Sequence, residues 1–220
     1  MRSVVPSILL ILAPPLACLA AEVPVVAVFD EVLPVSTRIE GREAGDALGI
    51  EVLPAGDIDG DGYRDLAFLA RYPAVQDGRI LLGFKWLEAR LDLDGWQPWG
   101  IEISGRDRPP CPRACLGDID GDGLDDLAFS AATGGPEAGG GVILFGDPAL
   151  PRAIDADSFN GCRAVRILPD TALVPLGAVP YLHAFGSGDF DGDGIRDLAV
   201  STSHLSDPGA LRRGLVFIGR

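Results

Sequence analysis

One thirteen-residue pattern occurs three times in this 220-residue chain, and it constrains the fold more than any other feature. It reads Gly56-Asp57-Ile58-Asp59-Gly60-Asp61-Gly62-Tyr63-Arg64-Asp65-Leu66-Ala67-Phe68 in its first copy. The second copy runs from Gly117 to Phe129 and the third from Gly188 to Val200. Counted from its first Asp, each copy carries Asp at positions 1, 3, 5 and 9 and Gly at positions 4 and 6. A short apolar run follows each time. Carboxylates two residues apart, with glycines that permit a tight turn, can converge on one hard cation.

The ligand set expected from this spacing is Asp57, Asp59, Asp61 and Asp65, joined by the carbonyl of Tyr63 at position 7. Its counterparts are Asp118, Asp120, Asp122, Leu124 and Asp126, then Asp189, Asp191, Asp193, Ile195 and Asp197. Oxygen-only donors of this kind suit Ca²⁺, about three ions in all. An EF-hand opens the same way but needs a bidentate Glu at position 12 and a flanking helix on each side. Position 12 here is Phe68, Phe129 or Val200. The runs Leu-Ala-Phe and Leu-Ala-Val suit buried strands, so each copy reads as a Ca²⁺ loop joining two strands.

Charge supports the same reading. Net charge is −14, and setting aside the twelve Asp ligands leaves only −2. The acidity therefore belongs to the loops, and the chain has no basic patch for nucleic acid. With 29 Gly and 18 Pro, the chain suits many short strands and turns.

The first ligands, Asp57, Asp118 and Asp189, lie 61 and 71 residues apart. A period of that size, filled with short strands, predicts propeller blades. The first period holds expected strands at Ile50 to Leu53, Leu66 to Ala70, Ile80 to Phe84 and Gly100 to Ser104. The second holds Leu127 to Ala131, Val142 to Phe145 and Arg163 to Ile167. The third offers Leu182 to Phe185, Leu198 to Ser201 and Leu215 to Ile218, with no outer strand. Earlier runs from Val25 and Ser36 are candidates to complete that third blade beside Leu215 to Ile218. Otherwise the blades stay an incomplete propeller, closed by a homo-oligomer or a longer array.

Residues 1–20 read as an export signal: Arg2, an apolar run from Ile8 to Ala13, and small residues at Cys18 and Ala20. The run is too short to span a bilayer. Leu16-Ala17-Cys18 is similar to part of a lipobox, the alternative being a lipid anchor on Cys18. The expected division is thus a signal at 1–20 and a repeat domain at 21–220, secreted or periplasmic.

At the loops the chain resembles the FG-GAP repeat family, the β-propeller repeats of integrin alpha type. That resemblance implies an all-β fold of four-stranded blades with Ca²⁺ held in a hairpin loop of each. Family members commonly have seven blades. The match departs in two places. The Gly-Ala-Pro expected after the second strand is replaced by Leu69-Ala70-Arg71, Ser130-Ala131-Ala132 and Ser201-Thr202-Ser203. Upstream, Gly45 and Gly177 follow Ala44 and Leu176 instead of Phe.

The rest of the chain offers little chemistry. His183 and His204 are the only histidines and neither has metal-ligand spacing. No nucleophile elbow is present. Cys111, Cys115 and Cys162 remain after the signal, an odd number. In one straight strand Cys111 and Cys115 would lie about 13 Å apart, too far for a disulfide; Pro112 permits a bend, so the pairing stays open. Trp96 and Trp99 suit packing between blades, or stacking on a sugar if exposed. The reading is a non-enzymatic, secreted, Ca²⁺-stabilised module that binds a protein or cell-surface ligand. The alternative is a polysaccharide-acting enzyme or an enzyme-associated lectin module, with a glycan ligand.

Overall fold

The computed structural model describes residues 7–11, 36–40, 48–71, 76–81, 90–92, 100–104, 111–130, 140–156, 158–168, 180–204 and 213–217. Among them there are strands and turns and no helix. The expected all-β, blade-type architecture is what the chain adopts.

The first blade is an antiparallel meander of β3 (Glu51–Gly56), β4 (Asp65–Arg71), β5 (Gln76–Leu81) and β7 (Gly100–Ser104). Val52 pairs with Phe68, Ala67 with Ile80, and Ile80 with Ile101. The second blade repeats the plan with β8 (Cys111–Gly117), β9 (Asp126–Ser130), β10 (Gly141–Leu144) and β12 (Ala164–Ile167). The third has β13 (Pro180–Gly188), β14 (Asp197–His204) and β15 (Arg213–Phe217). No fourth strand joins it among the described residues.

Every residue of β9 is buried, although a strand's side chains alternate between two faces. The reason is that both faces are covered, as in any sheet packed on two sides. Leu127 and Phe129 point to the first blade, where they meet Ala55, Ile58, Ala67, Ile101 and Ile103. Ala128 points the other way, with Leu116 and Ile143, and Phe185 and Leu198 of the third blade pack against them. Strand β10 divides its residues likewise: Val142 and Leu144 to one side, Ile143 to the other. The apolar run after the second loop is thus short because it is a strand, and continuous because it separates two cores.

Two features run against the expected plan. Ser36–Glu40, β2, does not pair with β15. It lies in a separate sheet, antiparallel to β1 (Ser7–Ile11) and parallel to β6 (Arg90–Asp92). Its five residues, Ser-Thr-Arg-Ile-Glu, carry a single apolar side chain, Ile39, so little in them selects one edge over another. The run from Val25 lies outside the described residues, as do Trp96, Trp99, Gly45 and Gly177. The second feature is β11 (Ala153–Asp155), which adds to the outer edge of the first blade, parallel to β7. The connection after β10 therefore returns to the preceding blade before β12 forms. Its Leu150, Ile154, Ala156 and Phe159 complete the core between the first two blades. Ser7–Ile11 forms β1 within the segment that reads as an export signal.

Candidate metal-binding loops

Each acidic loop leaves the innermost strand at the Gly that ends β3, β8 or β13. It enters the next strand at the position-9 Asp that begins β4, β9 or β14. Its shape follows from its own side chains. The position-9 carboxylates of Asp65, Asp126 and Asp197 are buried. Each accepts the position-2 N–H, from Ile58 at 2.8 Å, Ile119 at 2.9 Å and Phe190 at 2.7 Å. This ties the start of each loop to its end.

The remaining carboxylates hold the turn between. Oδ2 of Asp57, Asp118 and Asp189 accepts the position-6 N–H of Gly62, Gly123 and Gly194 at 3.0, 2.8 and 3.0 Å. Asp59, Asp120 and Asp191 accept the N–H of Asp61, Asp122 and Asp193 at 3.3, 3.3 and 3.1 Å. Asp61, Asp122 and Asp193 in turn accept the N–H of Tyr63, Leu124 and Ile195 at 2.8, 3.0 and 2.8 Å. These are Asx-type turns, and they need glycine where the backbone turns left-handed. Positions 4 and 6 supply it, with φ between 75° and 93° in all three loops.

Used this way, the carboxylates face one another. Ligand oxygens of Asp57, Asp59 and Asp61 lie within 4.8 Å of one another, as do those of Asp118, Asp120 and Asp122. In the third loop the converging set is Asp189, Asp191 and Asp197. The structure thus brings together positions 1, 3 and 5 twice and positions 1, 3 and 9 once. Asp65 and Asp126 adjoin their clusters through the backbone links above, and Asp193 holds Ile195.

The electrostatics of such clusters favour a cation. Asp57 Oδ1 is buried and has no hydrogen-bond partner. Burial of an unpaired carboxylate oxygen is costly, and a hard cation removes that cost. Burial pushes the Asp126 carboxyl up to about 6, Asp120 and Asp122 add to the rise, and the N–H groups of Ile119 and Gly146 oppose it. Asp59 is raised too, by burial first and by Asp61 and Asp57 beside it. An oxygen-donor set of this charge fits Ca²⁺.

The second loop also has a resident cation. Arg163, just ahead of β12, donates to Asp122 Oδ2 at 2.8 Å and to Asp120 Oδ2. Its guanidinium lies 5.2 Å from the centre of the Phe145 ring. Sequence reading missed it because Arg163 stands 41 residues from Asp122. Also missed were the position-8 residues Asp125 and Arg196, which join blades. Their one visible signal is that a long or charged residue fills position 8 of every copy.

Two fruit-fly proteins align with most of this chain. Integrin alpha-PS2 of Drosophila melanogaster is 31% identical over 177 residues, covering 74% of this chain and 12% of its own length. Integrin alpha-PS5 of the same organism is 31% identical over 180 residues, covering 73% of this chain and 15% of its own. The chain carries an integrin alpha-like FG-GAP region. It spans only about an eighth of the length of the relatives it matches. No family model matches the chain.

Outside the FG-GAP loops the other candidate groups are quiet. Cys115 and Cys162 are free thiols, so neither pairs with Cys111. Cys111 and Cys115 share β8, and Cys111 donates to Glu51 at 2.6 Å. Burial raises the Cys115 and Cys162 thiols, which disfavours the thiolate form. His183 and His204 lie in β13 and β14. No helix of the described residues is long and apolar enough to cross a membrane.

Proposed function

We propose that this chain is an exported, calcium-stabilised FG-GAP module that binds a protein or cell-surface ligand, an adhesion role rather than an enzymatic one. The observation that carries the calcium reading is the orphaned, buried Oδ1 of Asp57 inside a converging carboxylate set. Asp57, Asp59, Asp61 and Asp65 would hold the first ion with the Tyr63 carbonyl. Asp118, Asp120, Asp122 and Asp126 with Leu124 would hold the second. Asp189, Asp191, Asp193 and Asp197 with Ile195 would hold the third. A bound cation would supply charge balance to the clustered carboxylates, and the protein supplies the turn between two strands that holds them. Alignment with integrin alpha chains supports the adhesion role.

Equilibrium dialysis with Ca²⁺ tests the metal reading: about three ions per chain are expected, and no saturable binding would end it. A partner pull-down beside a glycan array separates protein binding from the polysaccharide alternative. Export predicts a mature N-terminus near Ala21. Intact Met1 in the cytoplasm would defeat export, and a diacylated Cys18 would assign a lipid anchor.

A further inference from the structure

The first acidic loop is held in place by residues that the second blade supplies. Asp125 stands at position 8 of the second loop, between Leu124 and Asp126, both in that loop's expected ligand set. Its carboxylate Oδ2 accepts the Asp57 N–H at 2.8 Å, and its own N–H donates to the Asp57 carbonyl at 3.1 Å. Asp57 is thus gripped on both sides of its Cα by one residue 68 positions away. Gly56 leaves room for the grip, since a Cβ there would stand 2.3 Å from Asp125 Oδ2.

A second tie runs beside the first. The Gly146 N–H donates to Asp126 Oδ1 at 3.0 Å, and the next N–H, of Asp147, donates to the Ile58 carbonyl at 2.9 Å. Two successive residues therefore hold the position-9 ligand of one loop and the backbone next to the position-1 ligand of the other. Position 146 has no room for a side chain: a Cβ would come within 2.6 Å of Leu124 Cβ and 2.8 Å of the Asp125 carbonyl.

The gripped residue is the one whose Oδ1 is buried without a hydrogen-bond partner, while its Oδ2 accepts from Gly62. With its N–H, carbonyl and Oδ2 all bonded, Asp57 keeps Oδ1 in the cluster with Asp59 and Asp61. The joint between the second and third loops has different chemistry. Its position-8 residue is Arg196, packed against Gly117. A guanidinium only donates, so it cannot accept the Asp118 N–H as Asp125 accepts that of Asp57.

We propose that Asp125 is a positioning residue for the first loop, and that the first and second loops bind their ions cooperatively through it. This rests on the calcium reading above. Leu124 and Asp126, once they hold an ion, fix Asp125 between them, and Asp125 fixes Asp57. By linkage, an occupied first loop favours the second by the same factor. Coupling between two sites is typically worth about 5–150-fold in affinity.

Tb³⁺ luminescence sensitised by Tyr63 tests this, because Tyr63 is position 7 of the first loop and the other loops carry Leu124 and Ile195 there. Tyr63→Phe should remove the signal and so assign it. Asp120→Ala, in the second loop, should weaken Tb³⁺ binding at the first by about fivefold or more, whereas Asp191→Ala in the third should move it less. Asp125→Ala should weaken the first loop with the second intact, and adding Asp120→Ala to it should then change little. Asp125→Asn keeps an acceptor oxygen and should restore both the affinity and its response to Asp120→Ala. A Tyr63 signal that ignores Asp120→Ala and Asp125→Ala, or that weakens equally with Asp191→Ala, would overturn the coupling and leave the calcium reading standing. No saturable Tb³⁺ binding by the unaltered chain would overturn the calcium reading itself, and the coupling with it.

Discussion

The second and third loops share every Asp and Gly of their motif, yet they stand in different company. The second lies between two blades, with Asp125 anchored on Asp57, Ile119 packed inside, and Arg163 across Asp120 and Asp122. Among the described residues the third has a neighbouring blade on one side only, and its Phe190 and Ile195 are 57% and 40% exposed. Local hydrogen bonds are alike in both, including the position-9 link at 2.9 and 2.7 Å. The difference teaches that loop shape is a local property, whereas loop rigidity and charge balance belong to the neighbours.

Removing calcium should have the largest effect, because the clustered carboxylates of all three loops then repel, with Arg163 easing this in the second loop alone. Binding to the folded form alone adds about 2.7 kcal/mol per site at a hundredfold excess over Kd, so three sites would give about 8 kcal/mol. Calorimetry in excess EDTA should show a much lower Tm than in millimolar Ca²⁺. Asp59→Ala, Asp120→Ala and Asp191→Ala should each remove one step of that effect. Equal melting temperatures would mean that the loops are plain turns.

Acidity offers a second handle, with opposite signs in the two metal states. In the calcium-free protein the folded Asp126 carboxyl sits near 6, above its ordinary 3.8. The folded form then binds more protons than the unfolded chain between about pH 4 and 6, so stability falls as pH rises through that window. The raised Asp59 acts in the same direction. With Ca²⁺ present the ligands must be ionised, so stability should rise with pH over the same range. Thermal melts at pH 4, 5, 6 and 7, with and without metal, should show the two slopes; parallel curves would count against a cation in these loops.

The glycines that open the second and third loops can be compared directly by adding one methyl to each. Gly117→Ala places a Cβ against Arg196 in a left-handed conformation, which costs about 1–2 kcal/mol before any repacking. Gly188→Ala meets the exposed ring of Phe190 at 3.1 Å at ordinary φ and should cost less than the Gly117 change. Urea denaturation of both variants with Ca²⁺ present checks the ranking. Equal losses would show that the second loop's opening glycine is packed no more tightly than the third's.

The smallest effect concerns Arg163, an exposed side chain whose ion pairs are open to solvent. Arg163→Ala should let the second loop take Ca²⁺ a few-fold more tightly, since Asp120 and Asp122 no longer share their oxygens with a guanidinium. Isothermal titration should show one of the steps moving while the other two stay. Three unchanged steps would mean that Arg163 leaves these carboxylates free for metal.

Much of this was legible before any coordinates. The strands around each loop fall close to where the Asp spacing and the apolar runs placed them, because both are short-range patterns. Leu127 to Ala131 became β9 at Asp126–Ser130, and Gly100 to Ser104 became β7 without a shift. The converging carboxylates at positions 1 and 3 were equally plain, since two-residue spacing and a tight turn leave them few other directions. The pairing of Ser36–Glu40 was misjudged, because a short strand with one apolar residue, Ile39, specifies its partner edge weakly.

The motif and its period thus established the local units of this protein: three acidic hinges, each between two strands, repeated as blades. Contacts between distant residues settled the rest. They decided that Leu127 and Ala128 serve different cores, that Arg163 braces one loop of three, that β11 returns to the first blade, and that Phe190 is left uncovered. The physical reason is range. Asx turns and strand alternation act within a few residues, whereas burial and charge pairing depend on which segments the folded chain sets side by side.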